Sequence, residues 1–241
     1  MPMIYQPAGR AREYAEWACN IYRGCDHDCT YCYAPAVLRM DRAEFHADVQ
    51  PRGDLLEISN EATRLSKAGN TAPILLCFTC DPYSPGAISC VGWTRTCIHE
   101  IHDAGQRVTI LSKGGRRALA DLDILGPGDE FATTLTLHHP EEWEPHSAPT
   151  RDRIEALWAA QDAGLRTWAS FEPVLDPAQT LELIEEAAPY LSLAKVGIAN
   201  HIGLHHDWAD FGRRAEALCQ SLGLDYLLKH DLRQAMEQAT S

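Results

Sequence analysis

The chain lacks any long apolar run, and its 241 residues contain nothing close to the ~18 consecutive apolar residues of a membrane-spanning helix. Its first residues, Met1 to Arg12, also lack the apolar core of a secretory signal peptide. The nine cysteines are an odd number and occur without secretory features, which indicates a reducing compartment and metal or thiol chemistry. We therefore expect a cytoplasmic protein with no membrane partner.

Positive charge is also scarce. Lys and Arg number 21 against 34 Asp and Glu, which gives a formal net charge of −13. Broad, non-specific binding to nucleic acid relies on neutralising phosphates, so this balance disfavours it without excluding a local basic site. An RNA- or DNA-binding module would need a coherent basic surface, and only Lys113, Arg116 and Arg117 cluster in the sequence.

What the chain does have is a compact set of thiols, with Cys25, Cys29 and Cys32 within eight residues. Iron–sulfur clusters normally take four cysteine thiolates, so three thiolates can hold three irons of a cubane and leave the fourth iron open. An open iron suggests that a cofactor or substrate completes its coordination. The alternative is a non-catalytic module, either an iron–sulfur site or a zinc site closed by His27 or a distant cysteine.

The spacing CxxxCxxC, with Tyr31 directly before the last cysteine, resembles the motif of the radical S-adenosylmethionine (SAM) superfamily. This resemblance implies a [4Fe–4S] cluster on Cys25, Cys29 and Cys32, with the amine and carboxylate of SAM bound to the open iron. It also implies an external electron donor of the flavodoxin or ferredoxin type. Reductive cleavage of SAM would then give a 5′-deoxyadenosyl radical that abstracts hydrogen from a substrate.

The rest of the chain alternates short apolar runs with helical patterns. Nearly continuous apolar runs are typical of strands buried in a parallel sheet, so we expect βαβ units with right-handed crossovers. The predicted strands are 17–23, 72–79, 107–112, 130–137, 165–171 and 193–198, with a further candidate at 225–228. The predicted helices are 33–40, 53–68, 91–104, 115–122, 150–163, 177–188 and 207–222.

Six such units are too few for a closed eight-stranded barrel. The sequence therefore predicts an α/β fold, an open partial (βα)6 TIM-like barrel of the radical SAM type. We expect one domain over 1–241, with an N-terminal extension at 1–16 and a C-terminal extension from about 225 to 241. In such barrels the functional residues lie at the carboxyl ends of the strands.

Motifs at the predicted strand ends narrow the resemblance to the spore photoproduct lyase branch and its uncharacterised relatives. They are Thr79-Cys-Asp-Pro-Tyr-Ser-Pro85, Leu111-Ser-Lys113, and Glu144-Pro145 followed by Arg153-Ile-Glu-Ala156. Ser170-Phe-Glu-Pro-Val-Leu175 is similar to phage-encoded three-cysteine-motif proteins of the same group. The resemblance implies SAM contacts for Asp81 and Lys113, which match positions that contact SAM in the lyase-like pattern. The full set of candidate cofactor-binding residues is Tyr31, Thr79, Asp81, Lys113, Thr134, Thr136, Glu144, Arg153 and Glu172.

Bound SAM needs a carboxylate near its amine and a cation near its carboxylate, and Asp81 and Lys113 are the candidates. Alternatively, Asp81 forms an Asp-Pro turn and Lys113 is a solvated strand end. Thr134 and Thr136 should share one strand face, where they would bind a ribose or simply pack as buried threonines. The pair formed by Glu144 and Arg153 would contact SAM or be a structural ion pair.

Cys80 is the candidate catalytic residue. Spore photoproduct lyase has a hydrogen-donating cysteine three residues before the aspartate that Asp81 matches, and here that position is Phe78. Strand alternation places Cys80 on the same face as Phe78 and Cys77 on the opposite face. Cys80 would then donate hydrogen, unless it is a small buried apolar residue.

Other sites and the substrate stay open. An auxiliary cluster on Cys77, Cys80, Cys90 and Cys97 conflicts with strand alternation, and His201, His205 and His206 form either a metal site or a solvated loop. The resemblance suggests a nucleic-acid base as substrate, and loop 113–117 could hold a phosphate. A peptide or a small molecule is the alternative.

Overall fold

The computed structural model describes residues 2–90, 92–200 and 202–239 of the chain. The strands in these residues are β1 Ile4–Tyr5, β2 Trp17–Cys19, β3 Tyr22–Arg23, β4 Gln50–Pro51, β5 Ile74–Leu76, β6 Val108–Ser112, β7 Glu130–Thr134, β8 Arg166–Phe171, β9 Leu193–Val196 and β10 Tyr226–Leu228. The α-helices are α1 Ala34–Leu38, α2 Arg42–Ala47, α3 Leu55–Lys67, α4 Pro85–Ser89, α5 Trp93–Asp103, α6 Thr150–Asp162, α7 Pro177–Ala187, α8 Trp208–Leu222 and α9 His230–Gln238. Short 3-10 helices cover Gly9–Glu13, Gly115–Ile124 and Ala188–Tyr190. None of the helices described here is long and apolar enough to cross a bilayer.

Eight strands form one sheet in the order β1-β2-β5-β6-β7-β8-β9-β10. From β2 to β10 each neighbouring pair is parallel, while β1 pairs antiparallel with β2. The two edges, β1 and β10, are not paired with each other, so the predicted open α/β barrel is confirmed. β10 and α9 add a seventh βα unit, which places 225–239 within the barrel instead of in an extension. Residues 240–241 lie outside the described residues.

The first predicted strand, 17–23, is wrong as one element. β2 ends at Cys19, and β3 pairs instead with β4 in a separate two-stranded ribbon, with Tyr22 opposite Pro51. Asn20 lies between β2 and β3, and its side-chain oxygen accepts hydrogen bonds from the backbone amides of Phe78 and Thr79. The strand-forming residues run on without interruption from 17 to 23, so the sequence did not reveal this break. The break is set by the pairing partners β5 and β4, which are distant in sequence.

Helix caps explain several element boundaries. The side chain of Asp54 accepts a 2.7 Å hydrogen bond from Leu56 N at the start of α3, and Asp176 caps α7 at Ala178 N. α8 is capped at its start by Asp207 and after its last residue by Gly223, whose φ of +64° suits glycine. These signals are local in sequence, which is why the predicted bounds for these helices lie close to the observed ones.

The strands separate two apolar layers. Ile74 and Leu76 face the helices, whereas Leu75 points into the barrel with Ala132 and Trp168. This alternation is the ordinary period of a strand. The barrel interior is therefore packed below the site, and the site itself lies at the strand ends.

The N-terminal segment bridges both edges of the open barrel. β1 extends the sheet at one edge, and the Glu13 carboxylate accepts a 2.7 Å hydrogen bond from His230 N at the other. Lys195 of β9 donates a 2.7 Å hydrogen bond to the carbonyl oxygen of Tyr14. The predicted extension 1–16 thus has a structural role that its sequence did not indicate.

Candidate active site

A cavity of about 340 Å³ lies at the carboxyl ends of the parallel strands. Its walls include the cysteine loop and residues at or just after the carboxyl ends of β5, β6, β7, β8 and β9, the place where such barrels carry their functional residues. Ten of the thirteen predicted site residues line it. They are Cys25, Cys29, Tyr31, Cys32, Thr79, Cys80, Asp81, Lys113, Thr134 and Glu172.

The cysteine loop is held from both sides. Cys25 N donates to Phe45 O at 3.2 Å, and the His46 ring donates to Cys25 O at 2.7 Å. Thr30 N donates to Trp143 O at 2.8 Å. Gly24 has φ +86°, and a Cβ there would lie 1.9 Å from the Asp48 carbonyl oxygen, so the loop must start at glycine.

All three thiols of the loop face the cavity, where burial affects their ionisation. Burial raises the pKa of Cys29 to about 11, while the charge of Lys113 acts in the opposite direction. The pKa values of Cys25 and Cys32 are also raised, chiefly by burial. Bound iron would favour the thiolates, as it does for any coordinated thiol.

Among the described residues, no three His, Cys, Asp or Glu side chains converge closely enough to hold a single metal ion. A cubane cluster distributes its thiolates over separate irons, so the three thiols need not converge on one ion to hold it.

His27 also has other partners. Its Nδ1 lies 3.4 Å from an oxygen of Asp81, and its Nε2 lies 3.3 Å from a guanidinium nitrogen of Arg117. Burial lowers its pKa to about 4, although Asp81 acts in the opposite direction, so the ring is neutral at pH 7. His27 therefore packs the cysteine loop onto the β5 and β6 ends, a role that sequence reasoning missed.

Asp81 is fixed in place by the chain itself. Its carboxylate accepts hydrogen bonds from Ser112 Oγ at 2.7 Å, Lys113 N at 2.7 Å and Tyr83 N at 2.8 Å. The last of these is the turn contact of the structural alternative. The carboxylate nevertheless lines the cavity, so both interpretations of Asp81 describe part of its environment.

Lys113 places a cation in the cavity wall. Its Nζ lies 5.3 Å from the centre of the Tyr31 ring, within cation–π range. Burial lowers its pKa, but the neighbouring Cys29 and Glu144 more than offset this, and the net shift is upward. Lys113 therefore remains charged at neutral pH.

The predicted basic cluster does not form one surface. Arg116 Nε donates to Glu155 at 2.8 Å, and Arg117 Nε donates to the Tyr83 carbonyl oxygen at 3.0 Å. Only Lys113 of the three cations lines the cavity. Loop 113–117 therefore does not present its three cations on one surface, which disfavours the nucleic-acid-binding module.

Thr136, Glu144 and Arg153 are buried behind Tyr31 and do not line the cavity. Glu144 and Arg153 form an ion pair with 0% side-chain exposure, and Glu144 also accepts hydrogen bonds from the Tyr31 hydroxyl and Thr136 Oγ1. This geometry is the structural ion pair, the other alternative. The expected shared face of Thr134 and Thr136 is corrected because β7 ends at Thr134.

Cys77 and Cys80 both line the cavity. The expectation that Cys77 faces away is wrong, because β5 ends at Leu76 and strand alternation no longer applies. Burial raises the pKa of Cys77 well above its ordinary value, and the neighbouring Cys80 thiol raises that pKa further. The sequence did carry a signal for this pair, the spacing Cys-x-x-Cys.

The other metal alternatives gain no support. Cys97 is fully buried in α5, and Cys90 Sγ donates to Gly86 O outside the cavity, so neither thiol lines the cavity with Cys77 and Cys80. The proposed histidine site includes His201, which lies outside the described residues. The ring of His206 packs edge-on against Trp208.

Glu172 faces the cavity but is also held by the chain. The Tyr14 hydroxyl donates to it at 2.7 Å, Lys229 forms an ion pair with it, and Asn200 Nδ2 donates at 3.2 Å. Tyr14 belongs to the N-terminal segment, and nothing in its sequence context pointed to the site.

No protein-family model matches the chain. It is similar to "Uncharacterized protein ORF301" of Acidianus two-tailed virus, with 24% identity over 233 residues that cover 90% of this chain and 76% of the relative. A mutant of spore photoproduct lyase matches 80% of this chain and 59% of its own, with TM-score 0.65 and 17% identity. Spore photoproduct lyase complexed with dinucleoside spore photoproduct gives TM-score 0.65 and 18% identity over 91% of this chain and 65% of its own.

Streptococcus suis SuiB bound to S-adenosylmethionine gives TM-score 0.62 and 12% identity over 88% of this chain and 50% of its own. Spore photoproduct lyase and SuiB are both radical SAM enzymes. The chain has the radical SAM fold. It spans only 50–65% of the length of these three structures. The fold predicted from the cysteine motif and the alternating strands is confirmed. The cavity of this chain lies at the carboxyl ends of its parallel strands.

Proposed function

We propose that the chain is a radical SAM enzyme that abstracts hydrogen from an organic substrate. One observation carries the proposal: the three thiols of the cysteine loop share a single cavity with Asp81, Lys113 and Thr134. A structural metal site would be closed by a fourth protein ligand. Here the thiols open onto a space within the range of small-molecule sites.

The residues present fit a [4Fe–4S] cluster. Cys25, Cys29 and Cys32 would hold three irons, and both ring nitrogens of His27 have other partners. When bound, the cluster supplies an electron that cleaves SAM into methionine and the 5′-deoxyadenosyl radical. The electron itself would come from an external flavodoxin or ferredoxin. We infer a reducing, cytoplasmic setting from the odd number of cysteines, nine in all, which suits metal and thiol chemistry.

The chain's own residues would bind and orient SAM. The Lys113 ammonium would attract the SAM carboxylate, and the fixed Asp81 carboxylate would face its amine. Thr134 would bond a ribose hydroxyl. Glu144 and Arg153 would act indirectly by holding Tyr31 beside Lys113. Cys80 would return hydrogen to the product radical.

Aromatic side chains in the cavity favour a flat substrate. Phe78 meets the Tyr14 ring edge-on at 5.8 Å between centroids, and Tyr33, which donates to Phe78 O at 2.9 Å, lines the same wall. Rings of this kind bind bases by stacking. We therefore infer a nucleic-acid base as the substrate class, bound locally, because the net charge of −13 does not suit a wide phosphate contact.

The test is anaerobic reconstitution with iron and sulfide, followed by SAM and dithionite. The expected result is 5′-deoxyadenosine and methionine in equal amounts, absent when Cys25, Cys29 and Cys32 are all Ala. Oligonucleotides deuterated in their bases should transfer deuterium to 5′-deoxyadenosine. A preparation with four irons and bound SAM that makes no 5′-deoxyadenosine beyond the triple variant would overturn the proposal.

A further inference from the structure

The cavity wall at the ends of β8 and β9 carries a carboxylate. Glu172 follows β8 and Asn200 lies beyond the end of β9, and both side chains line the cavity. Asp81 and Lys113 belong to the ends of β5 and β6, which follow β2 in the sheet order, whereas β8 and β9 lie two and three strands beyond β6. This wall is therefore separate from the residues proposed to bind the amine and carboxylate of SAM.

The two oxygens of the Glu172 carboxylate have different numbers of partners. Oε2 accepts a 2.7 Å hydrogen bond from the Tyr14 hydroxyl and is also paired with Lys229, whose side chain is 4% exposed. Oε1 accepts a single hydrogen bond, of 3.2 Å, from Asn200 Nδ2. Each carboxylate oxygen can accept two hydrogen bonds. Among the described residues, Oε1 thus has one acceptor site left.

Asn200 presents a second acceptor. A carboxylate at neutral pH only accepts hydrogen bonds, so the contact with Glu172 requires that the Asn200 amide turns Nδ2 towards it. The amide oxygen, Oδ1, then points away from the carboxylate, and no described residue donates a hydrogen bond to it. The wall therefore carries two neighbouring oxygen acceptors, one on Glu172 and one on Asn200.

A glycine makes room for the Glu172 carboxylate. Gly197 follows β9, and a Cβ at this position would lie 2.7 Å from Glu172 Cδ and 2.9 Å from Oε1. Non-bonded atoms do not approach so closely, so any larger residue at 197 would displace the carboxylate. The β9 backbone on one side, with Tyr14 and Lys229 on the other, holds Glu172 in a single place.

Aromatic rings lie beside these acceptors. The Tyr14 ring, whose hydroxyl donates to Glu172, meets the Phe78 ring edge-on at 5.8 Å between centroids. Both rings line the cavity. Rings of this kind bind flat heterocycles, and oxygen acceptors bind N–H groups at the edge of such a heterocycle. The wall thus combines the two features needed to recognise a base.

We propose that Glu172 and Asn200 select the substrate base by its exocyclic amine, one hydrogen going to Glu172 Oε1 and the other to Asn200 Oδ1. This inference rests on the proposed function and narrows its substrate class to bases that carry an amine. Carboxylates accept hydrogen bonds in the same way from the cytosine amine in DNA grooves. Thymine and uracil present carbonyl oxygens on both sides of one N–H, and a carbonyl facing these acceptors would be left without a donor.

Nucleoside binding tests the inference directly. Deoxycytidine and deoxyuridine have the same ring size and differ at one edge, where the first carries an amine and the second a carbonyl. Equilibrium dialysis of each nucleoside against cluster-loaded protein, with SAM at saturation, gives the two dissociation constants. We expect deoxycytidine to bind about 10-fold more tightly, since a good base-edge contact discriminates by roughly 5- to 150-fold.

Matched variants separate recognition from packing. Glu172→Gln should largely abolish the preference for deoxycytidine, but it also leaves the buried Lys229 without its charged partner. Asn200→Ala keeps that ion pair and should reduce the preference as well. Glu155→Gln changes a carboxylate that pairs with Arg116 outside the cavity, and should keep the full preference. Thermal unfolding of each variant shows which of them are folded.

SAM also carries an amine, on its adenine, so SAM binding is measured with the same proteins. Recognition of the substrate predicts that Glu172→Gln and Asn200→Ala bind SAM as tightly as the wild type does. Weaker SAM binding in either folded variant would support the cofactor-binding role that the sequence suggested for Glu172, and would overturn the inference. Equal affinities of the wild type for the two nucleosides, or no binding of either, would also overturn it.

SAM cleavage by the same preparations separates the two proposals. A preference for deoxycytidine without any 5′-deoxyadenosine would refute the proposed function and leave the recognition of the amine standing. Formation of 5′-deoxyadenosine without this preference would do the reverse.

Discussion

The Asp81 carboxylate accepts a 2.7 Å hydrogen bond from the backbone amide of Lys113, and so joins the ends of β5 and β6. Ser112 Oγ donates to the same carboxylate at 2.7 Å. The acid and the cation that the sequence suggested for the two ends of SAM are thus positioned by one another. A change at Asp81 would displace the Lys113 backbone, so Lys113 is the cleaner position for testing SAM binding.

Lys113→Ala should weaken SAM binding by roughly 10- to 150-fold, because a buried charge-assisted contact is worth about 1.5–3 kcal/mol. Cluster assembly should change little, since Lys113 supplies no thiolate. Equilibrium binding of SAM to the reconstituted variant measures the effect. Arg116→Ala is the matched control, because Arg116 pairs with Glu155 outside the cavity. Equal SAM affinity in the wild type and Lys113→Ala, with the cluster intact, would disprove the assignment.

Replacing Cys25, Cys29 and Cys32 together by Ala should abolish the brown absorbance near ~400 nm of the reconstituted protein, the usual sign of thiolate-bound clusters. Iron analysis should show the loss of four irons per chain. Cys97→Ala removes a buried thiol from α5 and should retain the full absorbance. Four irons in the triple variant would place the cluster elsewhere.

Glu144→Gln should destabilise the protein by about 3–5 kcal/mol at pH 7, because Arg153 would remain buried without its charged partner. Urea unfolding measures this loss. Glu142→Gln, an exposed neighbour in the same loop, should have little effect and serves as the control.

The same carboxylate predicts a pH dependence. Burial would raise the Glu144 pKa, but Arg153, Lys113 and the Tyr31 hydroxyl lower it from 4.5 to about 2. Because the Glu144 pKa is lower in the folded than in the unfolded protein, the ionised carboxylate stabilises the folded state by about 3 kcal/mol at pH values above 4.5. This stabilisation is lost as the pH falls from 4.5 towards 2. Glu144→Gln should show a flatter decline across that window than the wild type. Identical slopes would contradict the pair's electrostatic role.

Asn20→Ala should loosen the turn that carries Cys77 and Cys80. It leaves the amides of Phe78 and Thr79 unpaired, at a cost of about 1–3 kcal/mol each. Maleimide labelling of the two thiols in the folded protein should become faster. Tyr5→Phe removes only the hydrogen bond from Asn20 Nδ2 and should leave the labelling rate unchanged. An unchanged rate in Asn20→Ala would show that the turn is held by other contacts.

The elements that sequence predicted well are those with local causes. The apolar strand 107–112 and the capped helix 207–222 are set by neighbours along the chain, and both appear with nearly the predicted bounds. The failures have distant causes. The run 17–23 divides because β3 finds a partner in β4, and Thr136 leaves the sheet because β7 stops two residues earlier.

The sequence by itself determined the cysteine loop, the alternation of strands and helices, and hence the open barrel. These features depend on the spacing and periodicity of residues that are close in sequence, so they can be predicted without knowing which distant segments pack together. Only the tertiary structure decided which side chains meet. Glu144 forms an ion pair with Arg153 behind Tyr31. Tyr14, in the N-terminal segment, donates a hydrogen bond to Glu172. Cys77 and Cys80 both line the cavity. Their positions depend on how strand ends and loops pack together, and one-dimensional spacing carries no record of that packing.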